Sequence, residues 1–348
     1  PAGHGRPPTL HAARIEGGAR RDVTAMASAD GACRVLSIQS HVVHGYVGNK
    51  CAVLTLQLLG FDVDAINSVQ FSNHAGYPTF KGHVFDGEHL RGILAGLEEN
   101  NITEYSHLLT GYVGSASLLR EIAAVARKLR EWNPSLEYVC DPVLGDEGKL
   151  YVPADLVGTY RDEVLPLASM LVPNQFEVEM LTDTKITTVA DAFAACRLLH
   201  DKGPHTVIIT SAAATDASNA NGVILLLAST TLPQAKGPEH QQLVLSVPKI
   251  DAYFTGTGDL LASLLLGWTH QHPDDLAASI DAAVSSLQAV LLQTASTCDE
   301  ATLGMKKPSS EGCKRRELRL VQNQSSITNP PAGAVRCRTL KEFQALSK

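Results

Sequence analysis

A basic surplus is the first thing this chain lacks. Its 348 residues carry 29 Lys and Arg against 36 Asp and Glu, a formal net charge of -7. That balance argues against nucleic acid as the main partner and leaves anionic ligands to local sites. Paired cysteines are also missing. Cys33, Cys51, Cys140, Cys196, Cys298, Cys313 and Cys337 are scattered, none in C-x-x-C, and an odd, dispersed set reads as free thiols in a reducing compartment. His41, His44 and His74 stand near each other in sequence, without zinc-site spacing and without a cysteine among them. Ser40 lacks the G-x-S-x-G elbow of a hydrolytic nucleophile. No continuous apolar run approaches the length of a membrane span, and there is no internal repeat.

What remains is 44% hydrophobic and 19% charged, an ordinary balance for a globular chain whose length suits one α/β domain with a large core. Residues 1–30 are rich in Gly, Pro, Arg and Ala, without periodicity, and are expected to form a disordered extension. Residues 31–348 then read as a single domain. Strand signals at 34–39, 61–66, 108–112, 137–140, 170–172 and 206–210 alternate with helix signals at 50–59, 117–132 and 176–181. Asn49 is placed to cap the helix at 50–59. The alternation predicts a doubly wound, mostly parallel sheet flanked by helices, with ligands beyond the carboxyl ends of the strands. Residues 77–85 are expected to form a small flap and 212–221 a loop. A strand is expected at 222–228 and a last one at 318–321, and 243–247 is an alternating apolar segment; the polar, basic stretch 294–316 reads as a disordered insertion.

Three clusters carry chemistry. Thr255-Gly256-Thr257-Gly258-Asp259 precedes an apolar helix signal. Glycines there let backbone N–H groups approach a ligand, and a helix N-terminus favours a phosphate. Asp259 in the first turn can take a proton from a hydroxyl; the plainer alternative is a turn with a capping aspartate. The dinucleotide fingerprint fits worse, because Leu261 stands where its third glycine belongs. Asp141 and Asp146 flank a turn at a strand end, as Mg²⁺-phosphate ligands do, although Asp and Gly are common in turns. Asn174 and Glu177 follow an apolar strand; they suit a capping-box variant, phosphate contacts, or both. Ser40, Phe71, His74, Tyr77 and Tyr112 lie on loops after strands, where they can hold a planar ring.

Together with Ser37-Ile38-Gln39-Ser40-His41, Gln70-Phe71-Ser72-Asn73-His74, Cys140-Asp141-Pro142-Val143-Leu144-Gly145-Asp146 and Pro173-Asn174-Gln175-Phe176-Glu177, the Gly256–Asp259 stretch resembles the pyridoxal kinases of the ribokinase-like superfamily. The loop at 146–151 resembles the shorter, plant-type form. The resemblance runs in order from about 33 to about 330. It implies ATP-dependent phosphorylation of the 5′-hydroxymethyl group of pyridoxal, pyridoxine or pyridoxamine, with Mg²⁺ or a similar divalent ion, by a cytoplasmic homodimer without nucleic-acid or membrane partners. By resemblance, Asp259 is the base and Gly256, Thr257 and Gly258 form the anion hole. Asp141, Asp146 and Thr210 serve the metal. Asp141, Asn174, Glu177, Thr210, Ser211, Ile250, Asp251, Ala252 and Thr257 follow the nucleotide. Ser40, Val47, Val69, Phe71, His74, Ala75, Tyr112 and Tyr151 line the substrate pocket with Asp259. Two positions depart from the family pattern. Ala75 and Val172 stand where relatives usually carry Thr, which bears on substrate affinity and on activation by K⁺ or Na⁺. Rival readings are a sugar or hydroxymethylpyrimidine kinase of the same fold, and a catalytically weak vitamin-binding protein.

Overall fold

The central strands of this protein are apolar on both faces, and that decides where they lie. In β1 (Arg34–Val42), Val35 faces one core cluster and Leu36 the other. Leu108 and Leu109 of the strand at His107–Thr110, and Tyr138 and Val139 of the strand at Glu137–Cys140, divide in the same way. Near-continuous hydrophobic strands of this kind fit a parallel sheet covered by helices on both sides.

A computed structural model describes residues 33–213, 222–233, 240–303 and 309–346. After β1 come α1 (Asn49–Leu58), β2 (Asp62–Phe71), β3 (Gly82–Val84), α2 (Gly87–Glu99), β4 (His107–Thr110), α3 (Ala116–Trp132) and β5 (Glu137–Cys140). A hairpin of β6 (Gly145–Asp146) and β7 (Lys149–Leu150) follows, then α4 (Asp155–Thr159), β8 (Met170–Leu171), α5 (Gln175–Thr182), α6 (Val189–His200) and β9 (Thr206–Ala212). β10 (Val223–Thr230), β11 (Gln241–Pro248), α7 (Thr257–Gln271), α8 (Leu276–Ser296), α9 (Glu300–Leu303), α10 (Ser310–Arg315), α11 (Gln324–Thr328), β12 (Arg338–Thr339) and α12 (Leu340–Leu346) complete it.

One ten-stranded sheet runs in the order β12-β11-β10-β9-β8-β5-β4-β1-β2-β3. The six strands from β9 to β2 are parallel; β3 on one flank and β10, β11 and β12 on the other are antiparallel. The expected doubly wound sheet is therefore present. One face packs against α3, whose Leu118, Leu119, Ile122, Ala126 and Leu129 form a buried stripe and whose start is capped by the Ser115 hydroxyl. The other face packs against α1, α7 and α8. Helix α7 is buried continuously from Leu260 to Trp268, as its unbroken apolar run predicts.

Several expectations are corrected. Asn49 does not cap α1: Gly48 holds that position, while the Asn49 amide is buried and donates to the Ile66 carbonyl at 2.9 Å and to Asn67 Oδ1 at 2.9 Å. It fastens β1 to β2. Residues 318–321 form no strand: Leu318 and Leu320 are buried in the core cluster with α1, α7 and α8 but pair with no strand; the last strand is β12. The stretch 294–316 is not a disordered insertion where it is described. It holds the end of α8, then α9 and α10, with Ser309 capping α10. Of the flap expected at 77–85, only β3 is regular, and it joins the sheet edge. Helix α8 is, at 21 residues and mean hydropathy 1.3, long and apolar enough to cross a membrane, against the expectation that no run approaches that length; 56% of its most apolar window is buried in the protein, as suits a core helix. The extension at 1–30 and most of the 212–221 loop lie outside the described residues.

Candidate active site

The parallel strands end on one side of the sheet, and the loops that leave them build two adjoining cavities there. The inner one, about 450 Å³, is walled by Asp141, Asp146, Val172, Asn174, Glu177, Thr210, Ser211, Ile250, Ala252, Gly256, Thr257, Gly258 and Asp259, with Tyr151. The outer one, about 790 Å³, is walled by His74, Ala75, Tyr77, Lys249, Asp251, Cys313 and Arg316. Asp146, Tyr151, Ala252, Tyr253 and Thr255 border both. Asp251 thus faces the outer cavity.

Gly256 starts α7 with φ +87°, a conformation that L side chains rarely adopt, and a Cβ there would overlap the Tyr46 carbonyl oxygen. Only glycine lets the loop pass so close to the β1–α1 loop. Asp259 sits in the first turn of α7, open to the cavity on one side. Burial raises its carboxyl above the ordinary aspartate range; the Gly48 backbone N–H, which it accepts, and nearby His74 pull it partly back. Gly258 faces the opposite wall, where a Cβ would stand 3.6 Å from Asp141 Oδ2. Asp141, 6% exposed, is pushed well up by burial and then by the charges of Glu177 and Asp259. This is an excess of negative charge that a cation would relieve.

Glu177 is held within the protein. Its Oε1 accepts the Leu144 N–H at 3.0 Å and the Gly145 N–H at 3.5 Å, and its Oε2 accepts the Asn174 N–H at 2.8 Å. Burial still pushes its carboxyl up to about 8, against those amide bonds. Asn174 Oδ1 returns the bond to the Glu177 N–H at 2.9 Å, closing a capping box at the start of α5, while its Nδ2 donates to the Gly145 carbonyl at 2.8 Å. The pair therefore ties the Asp141–Asp146 turn to α5. Asp146 is raised by burial, and its Oδ1 accepts the Glu147 N–H at 2.8 Å. Thr210 is drawn toward β8 by its N–H, which reaches the Pro173 carbonyl at 2.8 Å.

Ser40, Val47, Val69, Phe71 and Tyr112 line neither cavity. They gather at the adjacent strand ends: Ser40 pairs with Val69 just past a register shift in β1, and Phe71 ends β2 with its ring 5.0 Å from that of Phe80. The Tyr112 carbonyl accepts the Ser68 hydroxyl at 2.6 Å. A bulge at such a place re-aims side chains at a site.

The region 104–301 matches the family model described as phosphomethylpyrimidine kinase. The chain is 53% identical over 297 residues to the pyridoxal kinase of Arabidopsis thaliana, spanning 85% of this chain and 92% of that protein. It is 44% identical over 306 residues to the pyridoxal kinase of Homo sapiens, spanning 86% and 96%. The chain belongs to the pyridoxal kinase family. The structure of Leishmania donovani pyridoxal kinase in complex with ADP and pyridoxamine superimposes with a TM-score of 0.78 at 34% identity, covering 88% of this chain and 99% of that one. The complex of the same enzyme with ADP and pyridoxine gives 0.77 at 35% identity.

Within the pyridoxal kinase frame, the reading from sequence missed Lys249, Tyr253, Phe254, Cys313, Arg316 and Glu317. Tyr253 and Phe254 immediately precede the glycine loop, and their aromatic character was the available signal. The residues at 313–317 were hidden by the polar composition of their surroundings.

Proposed function

We propose that this protein transfers the γ-phosphoryl group of ATP to the 5′-hydroxymethyl group of pyridoxal, pyridoxine or pyridoxamine. The observation that carries the proposal is the N-terminus of α7. It presents Gly256, Thr257 and Gly258 with Asp259 into a cavity whose far wall holds Asp141, Asn174 and Glu177.

Phosphoryl transfer through a loose transition state needs alignment and charge stabilisation above all. The free N–H groups of the first turn of α7 face the transferring oxygens. Asp259 accepts the proton of the attacking hydroxyl. That proton leaves late, so a carboxylate near the reference pKa of about 3.9 suffices, and the raised Asp259 is a better acceptor still. Thr210, Ser211, Ile250 and Ala252 form the nucleotide wall, and Asp251 approaches from the outer side. Tyr151 covers the junction of the two cavities.

The donor set suits a divalent ion. Asp141 and Asp146, with Thr210 beside them, offer hard oxygen ligands, and Mg²⁺ takes one or two carboxylates plus phosphate and water. Bound there, the ion would neutralise phosphate charge. Val172, buried in the same wall, offers no side-chain oxygen to a monovalent cation. We place the enzyme in the cytoplasm as a homodimer; organelle fractionation and sedimentation velocity test these two points.

The deciding experiment is a panel of pyridoxal, pyridoxine, pyridoxamine, hydroxymethylpyrimidine and ribose, each with ATP and Mg²⁺. Phosphorylation of the three vitamers is expected. Turnover confined to hydroxymethylpyrimidine or to ribose would replace this reading. Binding of pyridoxal without turnover would support the vitamin-binding one.

A further inference from the structure

One carboxylate from the far end of the chain holds the outer cavity's wall. Glu317 is 7% exposed. Its Oε1 accepts the Tyr77 hydroxyl at 2.9 Å and lies 3.1 Å from His74 Nε2; its Oε2 accepts the Tyr46 N–H at 3.0 Å. His74 Nδ1 accepts the Gly76 N–H at 3.1 Å, which leaves Nε2 to carry the proton toward Glu317. Both ring nitrogens are thereby satisfied inside the protein. Cys313, four residues earlier, donates its thiol to the Gly76 carbonyl at 3.3 Å.

The fit around the carboxylate is close. A Cβ on Gly45 would overlap it, and Gly45 has φ +97°. Burial alone would raise the Glu317 carboxyl, but the bonds from His74, Tyr77 and the Tyr46 amide outweigh it and hold it below the ordinary range.

Two features separate this carboxylate from a merely structural one. Its partners His74 and Tyr77 form the wall of the outer cavity. Its third partner, residue 46, is the one whose carbonyl oxygen abuts Gly256, and Gly48 of the same loop donates to Asp259. Glu317 therefore fastens the loop carrying His74 and the loop that backs the anion hole to a single point.

We infer that Glu317 is a positioning residue that holds the 45–46 and 74–77 loops in their substrate-receiving arrangement before the vitamer binds. This rests on the vitamer kinase reading above. Without the carboxylate, the loops occupy that arrangement for only part of the time, and apparent affinity drops by that fraction.

The test is steady-state kinetics on the full chain with pyridoxal and ATP, beside melting temperatures. Glu317→Gln keeps the size and removes the charge. KM for pyridoxal is expected to rise roughly five- to thirtyfold, as a competent fraction of about a fifth to a thirtieth would give. KM for ATP is expected to stay within about threefold, because Glu317 bonds to no residue of the nucleotide wall, and kcat is expected to fall by less than KM for pyridoxal rises, because the 45–46 loop also backs the anion hole. Tyr77→Phe removes one of the contacts and is expected to raise KM for pyridoxal by less. The double variant is expected to fall short of the product of the two single effects, since the Tyr77 contact is shared by both changes. An unchanged KM for pyridoxal in Glu317→Gln overturns the inference. So does a common fall in kcat, both affinities and melting temperature, which is the signature of a structural role. If Glu317→Gln does not fold, an unchanged KM in Tyr77→Phe overturns it. Wild-type protein that phosphorylates no vitamer overturns instead the reading on which it rests.

Discussion

Asp259 carries the chemistry proposed here on one oxygen pair, so its amide should be nearly inert. Asp259→Asn keeps the shape of the first turn and removes the proton acceptor. kcat should fall by about 10²–10⁴ while nucleotide still binds, as turnover and ATP-analogue titration would show. More than about half of the normal rate in that variant would end the assignment. The same group sets a pH dependence. Only the ionised carboxylate accepts the proton, and burial raises its pKa, so kcat/KM should fall as pH drops through a value above the ordinary aspartate range. A profile flat down to the reference value would place the base elsewhere. Metal use rests on Asp141 and Asp146. Chelator should abolish turnover, Asp146→Ala should raise the Mg²⁺ requirement, and Val172→Thr should restore a K⁺ response that the wild type shows weakly. Full activity in chelator, or equal K⁺ responses, would contradict these points. Ala75 lies exposed on the outer wall. Ala75→Thr adds a hydroxyl that can bond the vitamer, at about 0.5–1.5 kcal/mol net, so KM for pyridoxal should drop roughly two- to twelvefold with kcat nearly constant. A higher KM would mean that the loop has repacked around alanine.

At the scale of the element, the start of α7 has no slack. Gly256→Ala puts a β-carbon against the Tyr46 carbonyl at a positive φ. The loop must move, and a misplacement of about 1 Å typically costs on the order of 10² in rate. A Gly256→Ala enzyme with unimpaired kcat would show that the loop's donors do not act on the reacting phosphate. This element was legible because its signal is local: two glycines, an aspartate and an apolar run within a dozen residues. So were α3, whose expected span of 117–132 falls one residue short of Ala116–Trp132, and β5, whose bounds match the expectation at both ends. What escaped was non-local. Leu318 and Leu320 alternate like a strand, yet they are buried in the core under the helices without a partner strand. Asn49 reads as a cap by its position, but its amide finds better partners in the middle of β2. The polar stretch before 316 lacks periodicity, and its order comes from surfaces that no window of sequence contains.

Over the whole molecule, the two catalytic ends differ in how far they reach along the chain. The anion hole forms within one segment, between β11 and α7. The pocket for the vitamer depends on Glu317 meeting Tyr46 across 271 positions and Tyr77 across 240. Closing such long loops is slow, and the contact is rewarded only once the sheet between them exists. A ribosome delivers residue 317 long after the strands it completes. The nascent chain should therefore acquire its nucleotide half first and its vitamer half last. In refolding from denaturant, binding of a fluorescent ATP analogue should return ahead of saturable turnover of pyridoxal. The two recovering together would mean that the carboxylate docks with the sheet, as part of one nucleus.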